Sequence, residues 1–183
     1  LVGSEMCIRD RPKTDPWAIR QAAALINNAK RPFILVGQGV ELGGAQEEVR
    51  QLIERADIPA GCTLLGLSAL PSDHPLNMGM LGMHGSLANS IKTQECDVLI
   101  AVGMRFDDRI TGKLSTYARQ AKKIHFEIDP SEVNKNVPVD VAVLGNCKQT
   151  LAQVLEQVKP NRHTEWIDSF GEHHEREKEA VIE

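Results

Sequence analysis

Aromatic residues are scarce: two Trp, one Tyr and four Phe make up 4% of the 183 residues. That removes the stacking platforms on which single-stranded nucleic acid is held. No apolar stretch approaches the roughly 20 residues that a membrane helix needs. The N-terminal stretch has neither the apolar segment nor the small-residue cleavage site of a secretory signal. Cys7, Cys62, Cys96 and Cys147 are widely spaced, with no CxxC pair and no His at ligand spacing, which argues against a zinc site or a disulfide framework. They read as reduced thiols of a cytoplasmic compartment, three of them buried as small hydrophobes. The net charge is -4 and the basic residues are scattered, so neither a nucleic-acid face nor a polybasic membrane patch is expected. No nucleophile–base pair with a supporting group, no metal cluster and no working pair of carboxylates stands out. Catalytic and metal-ligating residues are therefore both expected to be absent.

What is present is an alternation of strand-like and helix-like stretches, organised around Gly79 to Gly112. Val98-Leu99-Ile100-Ala101-Val102 is apolar without a break, the profile of a central parallel strand buried on both faces. Gly103 follows, then Arg105, Asp107, Asp108 and Arg109, at the strand end where open α/β sheets bind ligands. An arginine there can grip a phosphate or carboxylate with two N–H groups. The plainer reading is that these four charges pair with one another on a solvated loop.

Upstream, Pro16 to Lys30 has helical spacing, with Ile19, Ala22, Ala23 and Ile26 on one face and Asp15 as the cap. Phe33 to Val36 reads as a first buried strand. Gly37-Gln38-Gly39 follows it, and Gly43-Gly44 opens another helix, together a possible phosphate cradle. Leu42 occupies the third glycine position of the GxGxxG pattern and the second strand ends without an acid, which weakens an NAD-type reading. Ile58 to Leu65 is expected as the second strand, Leu67 to Met78 as a loop and Ser86 to Gln94 as a short helix entered through His84-Gly85. Arg109 to Gln120 is expected as helix. Lys122 to Asp129 reads as a strand whose Glu127 and Asp129 suit ribose hydroxyls, with Asp129 also capping Pro130-Ser131-Glu132. Val139 to Leu144 and a helix over Leu151 to Val158 close the alternation. The expected architecture is a doubly wound, mainly parallel α/β sheet with helices on both faces.

The flanks differ from this centre. Met6-Cys7-Ile8-Arg9-Asp10 back-translates as ATG TGT ATA AGA GAC, which resembles a transposase sequencing adapter, so residues 1–11 are expected to be non-native. Residues 161–183 carry a sparse apolar stripe, Trp166, Ile167 and Phe170, before an almost wholly polar run. They are expected to form a linker helix toward a C-terminal domain, leaving 12–160 as the central domain.

AKRPFILVGQGV, GMLGMHG, AVGMRFDDRITGK and IHFEIDPSEVNKN together resemble the central domain of the acetolactate synthase (acetohydroxyacid synthase) large-subunit family, whose enzymes depend on thiamine diphosphate. The resemblance implies a domain that holds extended FAD along the strand ends. It places Gly37, Gln38 and Gly39 at the ribityl and phosphate portion, with Thr63, Leu64 and Leu65 lining it. Leu81, Gly82, Met83, His84 and Gly85 fall near the flavin, and Met83 and Asp108 near a herbicide-binding channel mouth. Gly103, Met104, Arg105, Asp107, Arg109 and Ile110 continue the cradle, while Glu127 and Ile128 hold the adenosine end. Gly145 and Asn146 fall at the adenine side of the cofactor, where the family usually has Gly-Asp, and an amide donates as well as accepts. The implied reaction decarboxylates pyruvate and joins the two-carbon unit to a second 2-oxo acid in branched-chain amino-acid synthesis. Its catalytic glutamate, and its thiamine diphosphate and magnesium, belong to other domains, so this segment is expected to be inactive alone. Homo-oligomers of large subunits and a regulatory small subunit are also implied. The alternatives are a pyruvate oxidase-like or glyoxylate carboligase-like relative, a stand-alone NAD-type domain, and a fold retained without ligand.

Overall fold

A computed structural model describes residues 12–182; the segment expected to be adapter-derived lies outside the described residues. Helix α1 (Pro16–Asn28) starts where Asp15 accepts the Trp17 N–H and Pro16 supplies a preset φ. It buries Ala18, Ile19, Ala22, Ala23 and Ile26. Strand β1 (Pro32–Val36) is buried along its whole length. The short helix α2 (Gln38–Leu42) follows directly, and α3 (Gln46–Ala56) packs Val49, Leu52, Ile53 and Ala56 inward.

Strands β2 (Ala60–Cys62) and β3 (Asn77–Met80) come next, then α4 (Leu87–Glu95) and β4 (Val98–Val102). A single turn, α5 (Asp108–Thr111), leads to β5 (Lys122–Glu127), β6 (Val141–Leu144), α6 (Cys147–Leu155) and α7 (Thr164–Ile182). All six strands are parallel, in the order β3-β2-β1-β4-β5-β6. This is the strand order of dinucleotide-binding folds, with the reversal between β1 and β4.

Because successive strand residues face opposite sides, β1 and β4 feed two cores at once. Ile34, Val36, Ile100 and Val102 join the core under α1, α3 and α6. Phe33, Leu35, Leu99 and Ala101 join the core on the other face, which includes Ala88 of α4 and Trp166 and Phe170 of α7. The first half of α7 is held there firmly. Trp166 Nε1–H donates to Pro32 O at 2.8 Å, and the Phe170 ring lies 5.4 Å from those of both Phe33 and Trp166. Lys92 of α4 sets its ammonium 4.9 Å from the Trp166 ring and 2.8 Å from Glu95 Oε2.

Three expected elements are corrected. The second strand covers only Ala60–Cys62, because Leu64–Ala69 turns into a 3₁₀ helix. The segment expected as a loop up to Met78 contains the start of edge strand β3, whose register shifts against β2. The helix expected from Arg109 to Gln120 stops after one turn, at Gly112 with φ of 56°; a short 3₁₀ turn, Leu114–Thr116, follows.

Candidate functional site

The carboxyl ends of β1 and β4 meet backbone to backbone. Gly37 N–H donates to Val102 O at 2.9 Å, and Gly39 N–H donates to Gly103 O at 2.8 Å. A Cβ on Gly103 would stand 2.7 Å from two Gly39 backbone atoms, and Gly103 already has φ of 58°. Glycine is required at this crossing on both counts. Gly37 lies beneath it, against Gly103 and Met104.

Over this floor opens a cavity of about 420 Å³. Gln38, Gly39 and Leu42 come from α2, Thr63, Leu64 and Leu65 from the end of β2, and Gly103, Met104, Arg105, Asp107, Arg109 and Ile110 from the end of β4. Glu127 and Ile128 close it at the end of β5. A smaller cavity of about 270 Å³ shares Gly39, Gly103, Glu127 and Ile128 and extends to Asn146 and Cys147. The groove thus runs along the strand ends from β2 to β6.

Its walls hold groups that the fold leaves free. Leu42, Leu64, Leu65 and Ile128 are 45–78% exposed. Asp107 Oδ1 is buried and accepts no hydrogen bond. Of the four clustered charges, only Asp108 and Arg109 approach each other, at 3.9 Å and largely in solvent. Mutual pairing therefore does not account for Arg105 or Asp107.

Glu127 is held as a carboxylate. Burial pushes its pKa up, but the neighbouring His125 ring and donation from the Asp129 and Ile128 N–H groups outweigh that and hold it below the usual range. Its Oε1 accepts those two N–H groups at 3.1 and 2.7 Å; Oε2 lies 3.6 Å from His125 Nε2. Cys147 stays a thiol, with burial pushing its pKa to about 11. Asp129 caps the turn after β5 by accepting the Ser131 N–H at 3.0 Å.

Other sequence-selected residues sit apart from the groove. Leu81, Gly82 and Met83 line a neighbouring cavity of about 310 Å³ that shares Arg109 and Ile110 with the groove, with Met83 N–H donating to Arg109 O at 2.8 Å. His84 is exposed, and Gly85 closes the turn by donating to Gly82 O at 2.9 Å. Gly145, at φ of 141°, faces Thr14 and Thr150 rather than the groove. Residues missed by sequence reasoning are Leu42 and Cys147; Gly43, read as part of the possible phosphate cradle, does line the smaller cavity. The residue that breaks the glycine motif is itself an apolar wall. Among the described residues no cluster of His, Cys, Asp and Glu could hold a metal ion.

The family model for the thiamine pyrophosphate enzyme central domain matches residues 19–154. The chain belongs to this family. Similar proteins agree with that placement. Over 147 residues the chain is 48% identical to a probable acetolactate synthase large subunit of Methanocaldococcus jannaschii, covering 79% of this chain and 25% of that protein. It is 43% identical over 165 residues to the acetolactate synthase large subunit of Corynebacterium glutamicum, covering 86% and 26%. It is 45% identical over 148 residues to an acetolactate synthase of Mycobacterium avium, covering 80% and 24%. The chain spans about a quarter of the length of the curated relatives it matches. No helix among the described residues is long and apolar enough to cross a membrane.

Proposed function

We propose that this chain is the FAD-holding central portion of an acetolactate synthase large subunit. The observation that carries the cofactor reading is the groove at the β1/β4 reversal, floored by glycine backbone and lined by an unpartnered buried acceptor. The residues fit FAD in kind. Gln38 opens a helix and so has an N–H free for phosphate, and Arg105 offers a guanidinium for the same group. Asp107 Oδ1 suits a ribityl hydroxyl. Glu127 suits a ribose hydroxyl, and the exposed leucines and Ile128 suit the rings. When bound, FAD serves the family's main reaction as a structural element.

The chain's own contribution is to bind and orient. In the whole protein, thiamine diphosphate and magnesium support decarboxylation of pyruvate and transfer of the two-carbon unit to a second 2-oxo acid, a step of valine, leucine and isoleucine synthesis. The names of the relatives support this assignment. Cytoplasmic location, association of large subunits and a regulatory small subunit complete the reading, as do a central domain that takes in the core-packed Trp166 and Phe170 and a linker role for the rest of α7.

The test is a titration of the 183-residue chain with FAD and with NAD, followed by flavin fluorescence and thermal stability. FAD-selective stabilisation is expected, with Arg105→Ala weakening it about tenfold, the loss of a charge-assisted hydrogen bond. Selective stabilisation by NAD would overturn the cofactor assignment.

A further inference from the structure

One polar ring lies wholly inside the sheet layer. His125, in the middle of β5, is fully buried, in a slot left by its small cross-strand neighbours Ala101 of β4 and Ala142 of β6. Its Nε2 lies 2.8 Å from the Met104 carbonyl, which can only accept, so the ring hydrogen is assigned to Nε2. Nδ1 has no hydrogen-bond partner among the described residues. Half of the ring's bonding capacity is thus forfeited in the core, where an apolar side chain would leave nothing unpaired at that end. The half that is used serves the groove. Met104 and Glu127 are walls of the cavity of about 420 Å³, one at the end of β4 and the other at the end of β5. The same Nε2 lies 3.6 Å from Glu127 Oε2, too far for a second full hydrogen bond but near enough for the N–H dipole to favour the charge there. Oε1 is already taken by the Ile128 and Asp129 N–H groups, so Oε2 is the oxygen with acceptor capacity to spare. The Phe106 ring packs edge-on against the imidazole, 5.0 Å away, and limits its rotation.

We infer that His125 is a positioning residue for the groove: one N–H joins its two walls, fixing the Met104 carbonyl and holding Glu127 Oε2 where a ligand hydroxyl meets it. His125 touches no ligand itself, and its effect passes through Glu127. This rests on the FAD reading and extends it from the lining of the groove to the side chain beneath that lining.

Three substitutions separate positioning from packing. His125→Leu fills the slot without a donor, His125→Gln carries an amide N–H to the place of Nε2, and Glu127→Ala removes the group through which His125 acts. FAD affinity of the 183-residue chain is measured by flavin fluorescence for the parent, each variant and the His125→Leu/Glu127→Ala pair, which closes a double-mutant cycle. His125→Leu is expected to weaken FAD binding about 3- to 10-fold, the range of one hydrogen bond, while His125→Gln stays within about twofold of the parent. In the Glu127→Ala background, His125→Leu is expected to change affinity less than about twofold. If His125→Leu leaves too little folded protein, His125→Asn takes its place in the cycle, because its shorter amide reaches only the place of Nδ1. Parent-like FAD binding in His125→Leu overturns the inference and leaves the FAD reading standing. Equal losses with and without Glu127→Ala also overturn it, in favour of a purely structural histidine. A loss in His125→Gln as large as that in His125→Leu overturns it in favour of ring packing. Absence of FAD binding by the parent overturns the reading and the inference together.

Discussion

The two edges of the sheet carry similar residues and use them in opposite ways. At the amino edge, Asp97 accepts the Lys30 and Arg31 N–H groups at 2.8 and 2.9 Å, and Arg31 Nε–H donates to Glu95 O at 3.0 Å. Lys122 and Asp140 pair at 2.7 Å, and Asp140 also accepts the Lys123 N–H at 2.9 Å. Charge there is spent on backbone groups that open strands. At the carboxyl edge, Arg105 has no protein partner among the described residues, Asp107 Oδ1 has no donor, and apolar side chains stand in solvent. A binding edge is thus recognised by what its charges leave undone, more than by how many there are.

The largest expected effect falls on the glycine floor. Gly103→Ala adds both a backbone clash and a left-handed alanine, and is expected to destabilise the chain by about 3 kcal/mol in urea unfolding. A loss below about 1 kcal/mol would mean that β1 and β4 can separate at this edge. At the other edge, Asp97→Ala frees two N–H groups that water can reach, and a loss of about 1–2 kcal/mol is expected in the same assay. Arg105→Ala is expected to stay within about 0.5 kcal/mol of the parent without ligand. A larger loss would give Arg105 a structural role and blur the contrast between edges.

The smallest effect is a pH dependence. The folded pKa of Glu127 lies below its unfolded value, so its ionised form adds stability that is present above about pH 4.3 and lost as pH falls through the folded value. The stability gap between the parent and Glu127→Gln is expected to be flat at neutral pH and to narrow below about pH 4. Widening in acid would reverse the assignment of direction.

Most of the fold could be read in advance because its buried strands are written in unbroken apolar runs. Val98 to Val102 and Phe33 to Val36 admit few other uses. The failures have local causes. Asn77–Met80 contains no β-branched residue and pairs only at the edge, so nothing in its composition marks a strand. Arg109 to Gln120 has helical spacing, but Gly112 adopts positive φ and ends the helix after one turn. The groove was legible at its glycines and strand-end charges. Leu42 was not, since a pattern built on glycine treats any other residue as a mismatch. The placement of Leu81 to Met83 in a neighbouring cavity that shares Arg109 and Ile110 with the groove depends on the path of the backbone after β4, which residue spacing does not encode.

The glycine crossing also bears on the entropy of binding. Ordering one rotamer-rich side chain at an interface costs about 0.5–1.5 kcal/mol. Gly37, Gly39 and Gly103 have no side chain to order, and two backbone hydrogen bonds already hold them in place. A ligand lying across that floor meets a surface that loses no rotamer freedom on contact, so the ordering penalty of binding falls on the rim, where Gln38, Leu42, Leu64, Leu65 and Arg105 are still free to move.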